Sequence, residues 1–294
     1  MASGADGVTR RTFVVSGAAA LVTAGGGRRA RALTAREVVA RIQAHVGVPW
    51  RDTTVDTFKA GNPDTLVTGI ATSVMATLDV LRHAAAAGRN LIITHEPTFY
   101  TGADEAGPRA NDPVYLAKQA FIETHRLVIW RFADHWLARR PAEFTRALGD
   151  ALGWTARRDP ANDRLYTVPE TTVAGVAAHI RTHLQIRGGL RIVGRADAPV
   201  RRIVLSPGTT DMASTVANLR DADLLVSGEP REWEVVEYVA DTAAAGTPRS
   251  MIAIGRIVSE EPGMRACATW LRTLVGEVPV EAIATGDPYW RPAV

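Results

Sequence analysis

Hydrophobic positions from residue 33 onward alternate between helical spacing and short β-branched runs. Segments with apolar residues three or four positions apart predict helices at residues 34–45, 74–87, 113–124, 141–152, 172–184, 212–219, 232–245 and 262–274. Short runs rich in Val, Ile and Leu predict strands at residues 67–71, 91–94, 127–132, 165–168, 190–193, 203–206, 224–227 and 251–255. This alternation predicts an α/β fold with mostly parallel sheets and helices on their faces.

The predicted elements divide into two α/β lobes of similar size. Residues 33–154 form the first lobe, and residues 155–294 form the second, which includes a small insert at residues 155–197. Ligand sites in open parallel sheets lie beyond the carboxyl ends of the strands, where loops and helix N-termini meet. We therefore expect the functional site in the cleft between the two lobes.

The first 32 residues have the pattern of a twin-arginine signal peptide. An arginine pair at residues 10–11 precedes an apolar stretch at residues 14–24, and Ala-Arg-Ala at residues 30–32 offers a cleavage pattern. The apolar stretch is too short to span a bilayer. We expect export to the periplasm or outside the cell, without membrane attachment after cleavage near Leu33. A cytosolic N-terminus that happens to contain an arginine pair is the alternative.

Composition narrows the class of protein. Of 294 residues, 46% are hydrophobic and 22% are charged, which excludes a mainly disordered chain. The net charge of +3 comes from scattered arginines without interleaved aromatic residues, so we expect no nucleic-acid partner. The single cysteine, Cys267, excludes an internal disulfide and a cysteine-based metal site.

Residues that can bind a metal follow several of the predicted strands. His95 and Glu96 come directly after residues 91–94, Asp134 and His135 follow the next strand, and Glu260 follows the last. Because carboxyl ends of parallel strands meet at one edge, these side chains are expected to share a cleft. Imidazole and carboxylate together suit a hydrolytic divalent cation such as Zn²⁺, Mn²⁺ or Fe²⁺.

Each of these residues also has a structural interpretation. A histidine after a strand is often bonded within the fold, and Asp134 with His135 can form a turn closed by an aromatic side chain. Glu260 can stabilise the N-terminus of the helix predicted to start at Pro262. Glu229, after the strand at residues 224–227, can belong to the acidic first turn of the next helix.

Two motifs resemble a known family. Asn-Leu-Ile-Ile-Thr-His-Glu-Pro-Thr-Phe at residues 90–99 and Ala-Ile-Gly-Arg-Ile-Val-Ser-Glu at residues 253–260 are similar to segments of the dinuclear-metal-centre hexameric proteins. These form the Nif-three-like family, also known as GTP cyclohydrolase I type 2 homologues. Residues 69–72 and 225–229 are similar as well, so the resemblance covers nearly all of the chain after residue 32.

The resemblance implies a metal-dependent hydrolase that acts on a nucleotide or other small molecule and assembles as a homo-oligomer, a hexamer in the family. It implies metal ligands among His95, Glu96, Asp134, His135 and Glu260. Glu96 and Glu260 are the implied catalytic residues, each as ligand or general base.

The chain departs from the family pattern at several ligand positions. Glu96 stands where a second histidine is usual, Ala133 and Leu137 replace a histidine and an aspartate, and Arg256 replaces a histidine. A guanidinium has no lone pair to give and repels a cation. One metal ion rather than two is therefore implied. The alternative is a metal-poor, non-catalytic member that binds a small anionic ligand or a protein partner.

Overall fold

The computed structural model describes residues 32–290, together with Met1 and Pro292. From Ala32 onward the described residues form one compact unit. The signal peptide predicted for residues 1–32 falls outside them, apart from its two end residues. No helix in the described part of the chain is long and apolar enough to cross a membrane.

Helices and strands alternate along most of the chain. The helices are α1 Ala35–His45, α2 Leu78–Ala86, α3 Pro113–Thr124, α4 Asp134–Ala138, α5 Glu143–Ala151, α6 Val173–His183, α7 Met212–Leu219, α8 Glu237–Ala244 and α9 Arg256–Leu274. The strands are β1 Phe58–Ala60, β2 Ile70–Ser73, β3 Leu91–Thr94, β4 Val128–Arg131, β5 Leu165–Thr172, β6 Arg191–Val193, β7 Pro199–Thr210, β8 Leu224–Pro230, β9 Ser250–Ala253 and β10 Val280–Ala282. A π-helical turn, Glu232–Val236, precedes α8.

The strands form two five-stranded sheets, with the orders β1-β4-β3-β2-β10 and β5-β7-β8-β9-β6. The inner pairs are parallel, whereas β1, β5 and β6 pair antiparallel at the edges. The predicted α/β fold with two mostly parallel sheets is thus confirmed, and both sheets are mixed.

Sequence chemistry accounts for several element boundaries. Thr34 begins α1 with a capping box, in which its hydroxyl accepts from Glu37 N and the Glu37 carboxylate accepts from Thr34 N. Asp112 accepts from two backbone N–H groups at the start of α3. β3 is buried on both faces, because Leu91 and Ile93 pack with α1 and α9 while Ile92 packs with α2 and α3.

The end of the chain returns to the first sheet. β10 pairs in parallel with β2, with Val280 opposite Ile70. The predicted second lobe, residues 155–294, therefore contains a strand that belongs to the first sheet. Three residues, Val-Glu-Ala, carry too little periodicity to predict a strand, and the same holds for β1. Helix α9 packs against strands of both sheets. A hydrogen bond from Thr72 Oγ1 in β2 to Met264 O in α9, 2.8 Å long, links the helix to the first sheet.

The last helix begins six residues earlier than the sequence predicts. Proline favours the first turn of a helix, so the pattern places the start at Pro262. In the structure α9 begins at Arg256, and Pro262 lies inside it. Proline removes one backbone hydrogen bond, and the packing of α9 on both sheets holds the helix together. As a result, Arg256 and Glu260 lie one turn apart on the same face.

Candidate metal centre

Three buried side chains from distant parts of the sequence converge at the carboxyl end of β3. His95 and Glu96 follow β3, and Glu260 lies on α9. One ligand atom from each lies within 4.8 Å of the other two. His95 Nε2 is 3.5 Å from Glu96 Oε1 and 3.5 Å from Glu260 Oε1. Among the described residues, these three form the group that could hold a metal ion.

Backbone contacts to the neighbouring strand hold the two residues after β3. His95 N donates to Ser73 O over 3.3 Å, and Glu96 N donates to Val74 O over 2.9 Å. The His95 ring packs at a tilt against Phe144, with the ring centroids 4.5 Å apart. The imidazole is therefore fixed toward α9 rather than toward solvent.

The second sheet approaches Glu260 through a glycine. Gly208 in β7 has a φ of +73°, and a Cβ at this position would collide with Glu260 Oε1. Gly208 N donates to Ser259 Oγ over 3.0 Å. The absent side chain therefore lets β7 lie directly against the candidate ligand.

Burial shifts the pKa values of two members of the cluster in opposite directions. Burial, with the charges of Arg256 and Arg131, lowers the pKa of His95 to about 3. Burial, with the nearby Glu96 carboxylate, raises the pKa of Glu260 to about 8. The imidazole is therefore neutral at pH 7, with a lone pair to donate, and Glu260 gains stabilisation from any cation placed beside it.

Arg256 joins the cluster as a charged neighbour. Its Nη2 lies 2.5 Å and its Nε 3.1 Å from Glu96 Oε1. Its Nη1 contacts Glu229 Oε2 at 2.9 Å and Thr209 Oγ1 at 2.5 Å. Glu260 Oε2 is 3.7 Å from Nε and accepts no hydrogen bond in the described part of the chain. Three carboxylates thus surround one guanidinium.

The structure does not bring His135 into this cluster. Its Nδ1 is 2.6 Å from Asp56 Oδ2, and its Nε2 accepts from Arg51 N over 3.0 Å. The ring stacks on Trp50, with the centroids 3.6 Å apart. Both ring nitrogens are therefore engaged within the fold, and His135 lies apart from the cluster of His95, Glu96 and Glu260 with which the prediction grouped it.

Asp134 is likewise held away from the cluster. Its Oδ2 accepts from Thr54 Oγ1 over 2.8 Å and from Val55 N over 3.0 Å, and it is 2.7 Å from Arg51 Nη2. These bonds anchor the irregular segment before β1 to the start of α4. Asp134 therefore lies apart from the cluster of His95, Glu96 and Glu260 with which the prediction grouped it.

Comparison with known proteins identifies the family. The profile of Duf34/NIF3 (NGG1p interacting factor 3) matches residues 54–288, which is more than half of the chain and includes every candidate ligand. The chain belongs to the Duf34/NIF3 family. The resemblance to Nif-three-like proteins is thus confirmed. No curated protein matches the chain.

Several solved structures share the NIF3-like fold. Staphylococcus aureus protein SA1388 has a TM-score of 0.69 at 18% identity, covering 89% of this chain and 100% of that one. A Bacillus cereus protein related to NIF3 has a TM-score of 0.66 at 14% identity, with 90% and 100% covered. TTHA1606 of Thermus thermophilus has a TM-score of 0.62 at 18% identity, with 85% and 97% covered. At these identities the likeness establishes the fold alone.

Two residues that position elements around the candidate site carry no clear sequence signal. Asp56 precedes β1 in an irregular segment, yet it accepts from the N–H groups of three residues at the start of α4 as well as from His135. Gly208 lies in Ser-Pro-Gly, a pattern typical of a turn, whereas β7 continues through it. Both act through tertiary contacts that local periodicity does not encode.

Proposed function

We propose that this NIF3-family chain is a metal-dependent hydrolase that holds one divalent cation with His95, Glu96 and Glu260. The convergence of three buried donor atoms within 4.8 Å carries the proposal. Ligands about 2.1 Å from a tetrahedral ion lie about 3.4 Å from one another. The two separations of 3.5 Å from His95 Nε2 fit that arrangement.

The charge of the surroundings favours a cation over an anion. With all side chains ionised, Glu96, Glu229 and Glu260 outweigh the single guanidinium of Arg256. Buried like charges repel one another unless a counter-ion lies between them. This balance argues against the alternative function, the binding of a small anion at the same place.

Arg256 limits the site to one ion. Its guanidinium is already bonded to Glu96 and Glu229, so neither carboxylate is free to hold a further ion. Two unit charges about 4 Å apart interact by roughly 4 kcal/mol at an effective dielectric constant near 20, and a divalent ion doubles this repulsion. The arginine therefore supplies a fixed positive charge in place of a second ion.

A bound divalent cation would polarise a substrate oxygen and make a water molecule more acidic. The chain's own residues would divide the remaining tasks. His95 would bind through Nε2. Glu260 would bind through Oε1, which leaves Oε2, an atom with no hydrogen-bond partner among the described residues, to accept a proton. Arg256 orients Glu96 through two hydrogen bonds.

The hydrolase proposal can be tested with purine nucleotides, including GTP. The full-length protein, loaded with Zn²⁺, Mn²⁺ or Fe²⁺, should hydrolyse a member of the panel, and chelation or His95→Ala should abolish the activity. His83 is exposed in the last turn of α2. The variant His83→Ala is therefore the matched control and should retain the activity. Hydrolysis that survives chelation, or no hydrolysis by the loaded protein, would overturn this proposal.

We further propose that the protein is exported by the twin-arginine pathway and forms a homo-oligomer. The arginine pair and cleavage pattern support the first statement, and the family resemblance supports the second. Mass spectrometry of protein expressed with an intact N-terminus should find a periplasmic or secreted form that starts near Leu33. Full-length protein confined to the cytoplasm would contradict the export proposal.

A further inference from the structure

The chain contains only two lysines among its 34 basic residues, and both lie beside one carboxylate. Lys59 in β1 places Nζ 3.6 Å from Asp104 Oδ2. Lys118 in α3 is under the electrostatic influence of the same carboxylate. Arg131, at the end of β4, places Nη1 3.7 Å from Asp104 Oδ2. We call Lys59, Asp104, Lys118 and Arg131 the lysine cluster.

The lysine cluster has an excess of buried positive charge. The side chains of Lys59, Asp104 and Arg131 are 10%, 3% and 12% exposed, and Lys118 is 2% exposed. Three cations face one carboxylate. Burying charge without a partner is costly, so this arrangement favours an additional anion.

Two of the three cations, Lys118 and Arg131, donate hydrogen bonds to backbone carbonyl groups. Lys118 Nζ donates to Thr98 O over 2.5 Å. Arg131 donates through Nε to His95 O over 3.2 Å and through Nη1 to Gly102 O over 2.8 Å. Lys59 Nζ, in contrast, has no hydrogen-bond acceptor among the described residues.

Only one of the two carboxylate oxygens of Asp104 accepts hydrogen bonds from described residues. Asp104 Oδ1 accepts from the N–H groups of Thr98 and Phe99. Asp104 Oδ2 is buried and accepts no hydrogen bond from a described residue. The unused groups are therefore an ammonium donor and a carboxylate acceptor, separated by more than a hydrogen-bond distance.

We propose that Lys59, Arg131 and Asp104 form a binding site for an oxyanion that carries a hydroxyl group, such as hydrogen phosphate. The anion's oxygens accept from Lys59 and Arg131, while its hydroxyl donates to Asp104 Oδ2. Sulfate has the same shape but no proton to donate at neutral pH, so the carboxylate repels it. This donor and acceptor pattern discriminates between the two anions.

The position of the site bears on the substrate. Arg131 Nε donates to the backbone carbonyl of His95, so the lysine cluster contacts the residue whose imidazole is a candidate metal ligand. A phosphate ester bound here would therefore lie beside a residue of the candidate metal centre. This extension to a phosphorylated substrate rests on the proposed function, whereas anion binding itself does not.

The scarcity of lysine makes the test direct. Full-length protein labelled with ¹³C at lysine Cε gives two lysine signals, assigned with Lys59→Arg and Lys118→Arg. In chelator-treated protein, inorganic phosphate should shift the Lys59 signal in a saturable way, and sulfate should not. Glycerol phosphate distinguishes a phosphate ester from free phosphate as the ligand. Tighter binding of glycerol phosphate than of inorganic phosphate would indicate an ester. Because metal is removed, failure here is distinguishable from failure of the metal proposal.

Lys59→Met separates a binding role from a structural one. A charge-assisted hydrogen bond contributes about tenfold or more in affinity, so phosphate binding measured by calorimetry should weaken by at least that factor. The melting temperature without phosphate should not fall, because the ammonium donates no hydrogen bond to a described residue and two other cations remain beside Asp104. Arg82→Met, which removes an exposed partner of Asp79, is the control and should bind phosphate normally.

Two results would overturn the proposal. One is the absence of a saturable phosphate shift at Lys59 in the wild-type protein, or an equal response to sulfate. The other is a lower melting temperature of Lys59→Met with unchanged phosphate affinity, which would make Lys59 a structural partner of Asp104. If Lys59→Met does not fold, the lysine signals of the wild-type protein still decide the matter.

Discussion

His95 and His135 follow neighbouring strands of the first sheet, yet their ring nitrogens are used in different ways. Asp56 and Arg51 N occupy both nitrogens of His135. His95 Nε2 instead faces two glutamates at 3.5 Å. The sequence predicts both as ligands because strand-end position is visible in the pattern, whereas the partner that removes a lone pair is not.

Replacing Asp56 should destabilise the protein without affecting metal content. Asp56→Ala removes the acceptor for three N–H groups at the start of α4 and for His135 Nδ1. Because buried donors without acceptors each cost about 1 to 3 kcal/mol, the free energy of unfolding should fall by about 3 kcal/mol or more. Urea denaturation measures it, and Asp52→Ala, an exposed site nearby, is the control. A loss of metal with unchanged stability would contradict this account.

Lys118 should make stability depend on pH. Burial lowers its pKa from 10.5 to about 8, so between these values the unfolded chain holds a proton that the folded chain has released. Stability therefore rises with pH across this window, and the penalty, about 3 kcal/mol, is fully present below pH 8. Denaturation of the wild-type protein and Lys118→Met should differ in pH dependence by this amount. Parallel curves would show that Lys118 does not titrate there.

The elements around the centre depend on close approach rather than on local propensity. The early start of α9 brings Arg256 and Glu260 onto one face, and Gly208 lets β7 approach that face. The sequence predicts a helix and a strand in these places, but it starts the helix six residues too late and ends the strand at Ser206, whereas β7 continues to Thr210. In both places tertiary packing outweighs the local preference of proline and glycine.

Gly208→Ala should weaken metal binding more than it weakens the fold. The new Cβ would displace the Glu260 carboxylate, and the positive φ adds about 1 kcal/mol of strain. Gly246 has a similar φ of +75° with nothing near its Cβ position, so Gly246→Ala is the matched control for strain. Calorimetric titration with Zn²⁺ should show loss of affinity in the first variant and not in the second. Equal affinities would mean that Gly208 does not position Glu260.

At the scale of the whole molecule, the alternation of buried strands and amphipathic helices predicts the two α/β sheets correctly. Leu91–Thr94 and Pro113–Thr124 match their predicted bounds, because long apolar periodicity and caps are local signals. β10 could not be predicted, since its three residues gain their structure from pairing with β2. Local sequence patterns therefore predict most helices and strands, whereas the pairing of the chain end with the first sheet depends on long-range contacts.

The two sheets should unfold together. Because α9 packs on both sheets and β10 ties the chain end to the first, loss of either sheet exposes the core of the other. Thermal unfolding should follow one transition in tryptophan fluorescence and in far-ultraviolet circular dichroism. Trp130 and Trp154 lie in the cores of the first and second sheets, so fluorescence samples both. Two separated transitions would contradict this coupling.

The central claim is that His95, Glu96 and Glu260 hold one divalent cation. Elemental analysis of full-length protein, equilibrated with Zn²⁺ and dialysed, should find about one ion per chain. Glu261→Gln, whose side chain bonds to Gly286 N outside the cluster, should keep the ion, and Glu260→Gln should lose it. No bound ion, two ions per chain, or equal occupancy in both variants would contradict the account.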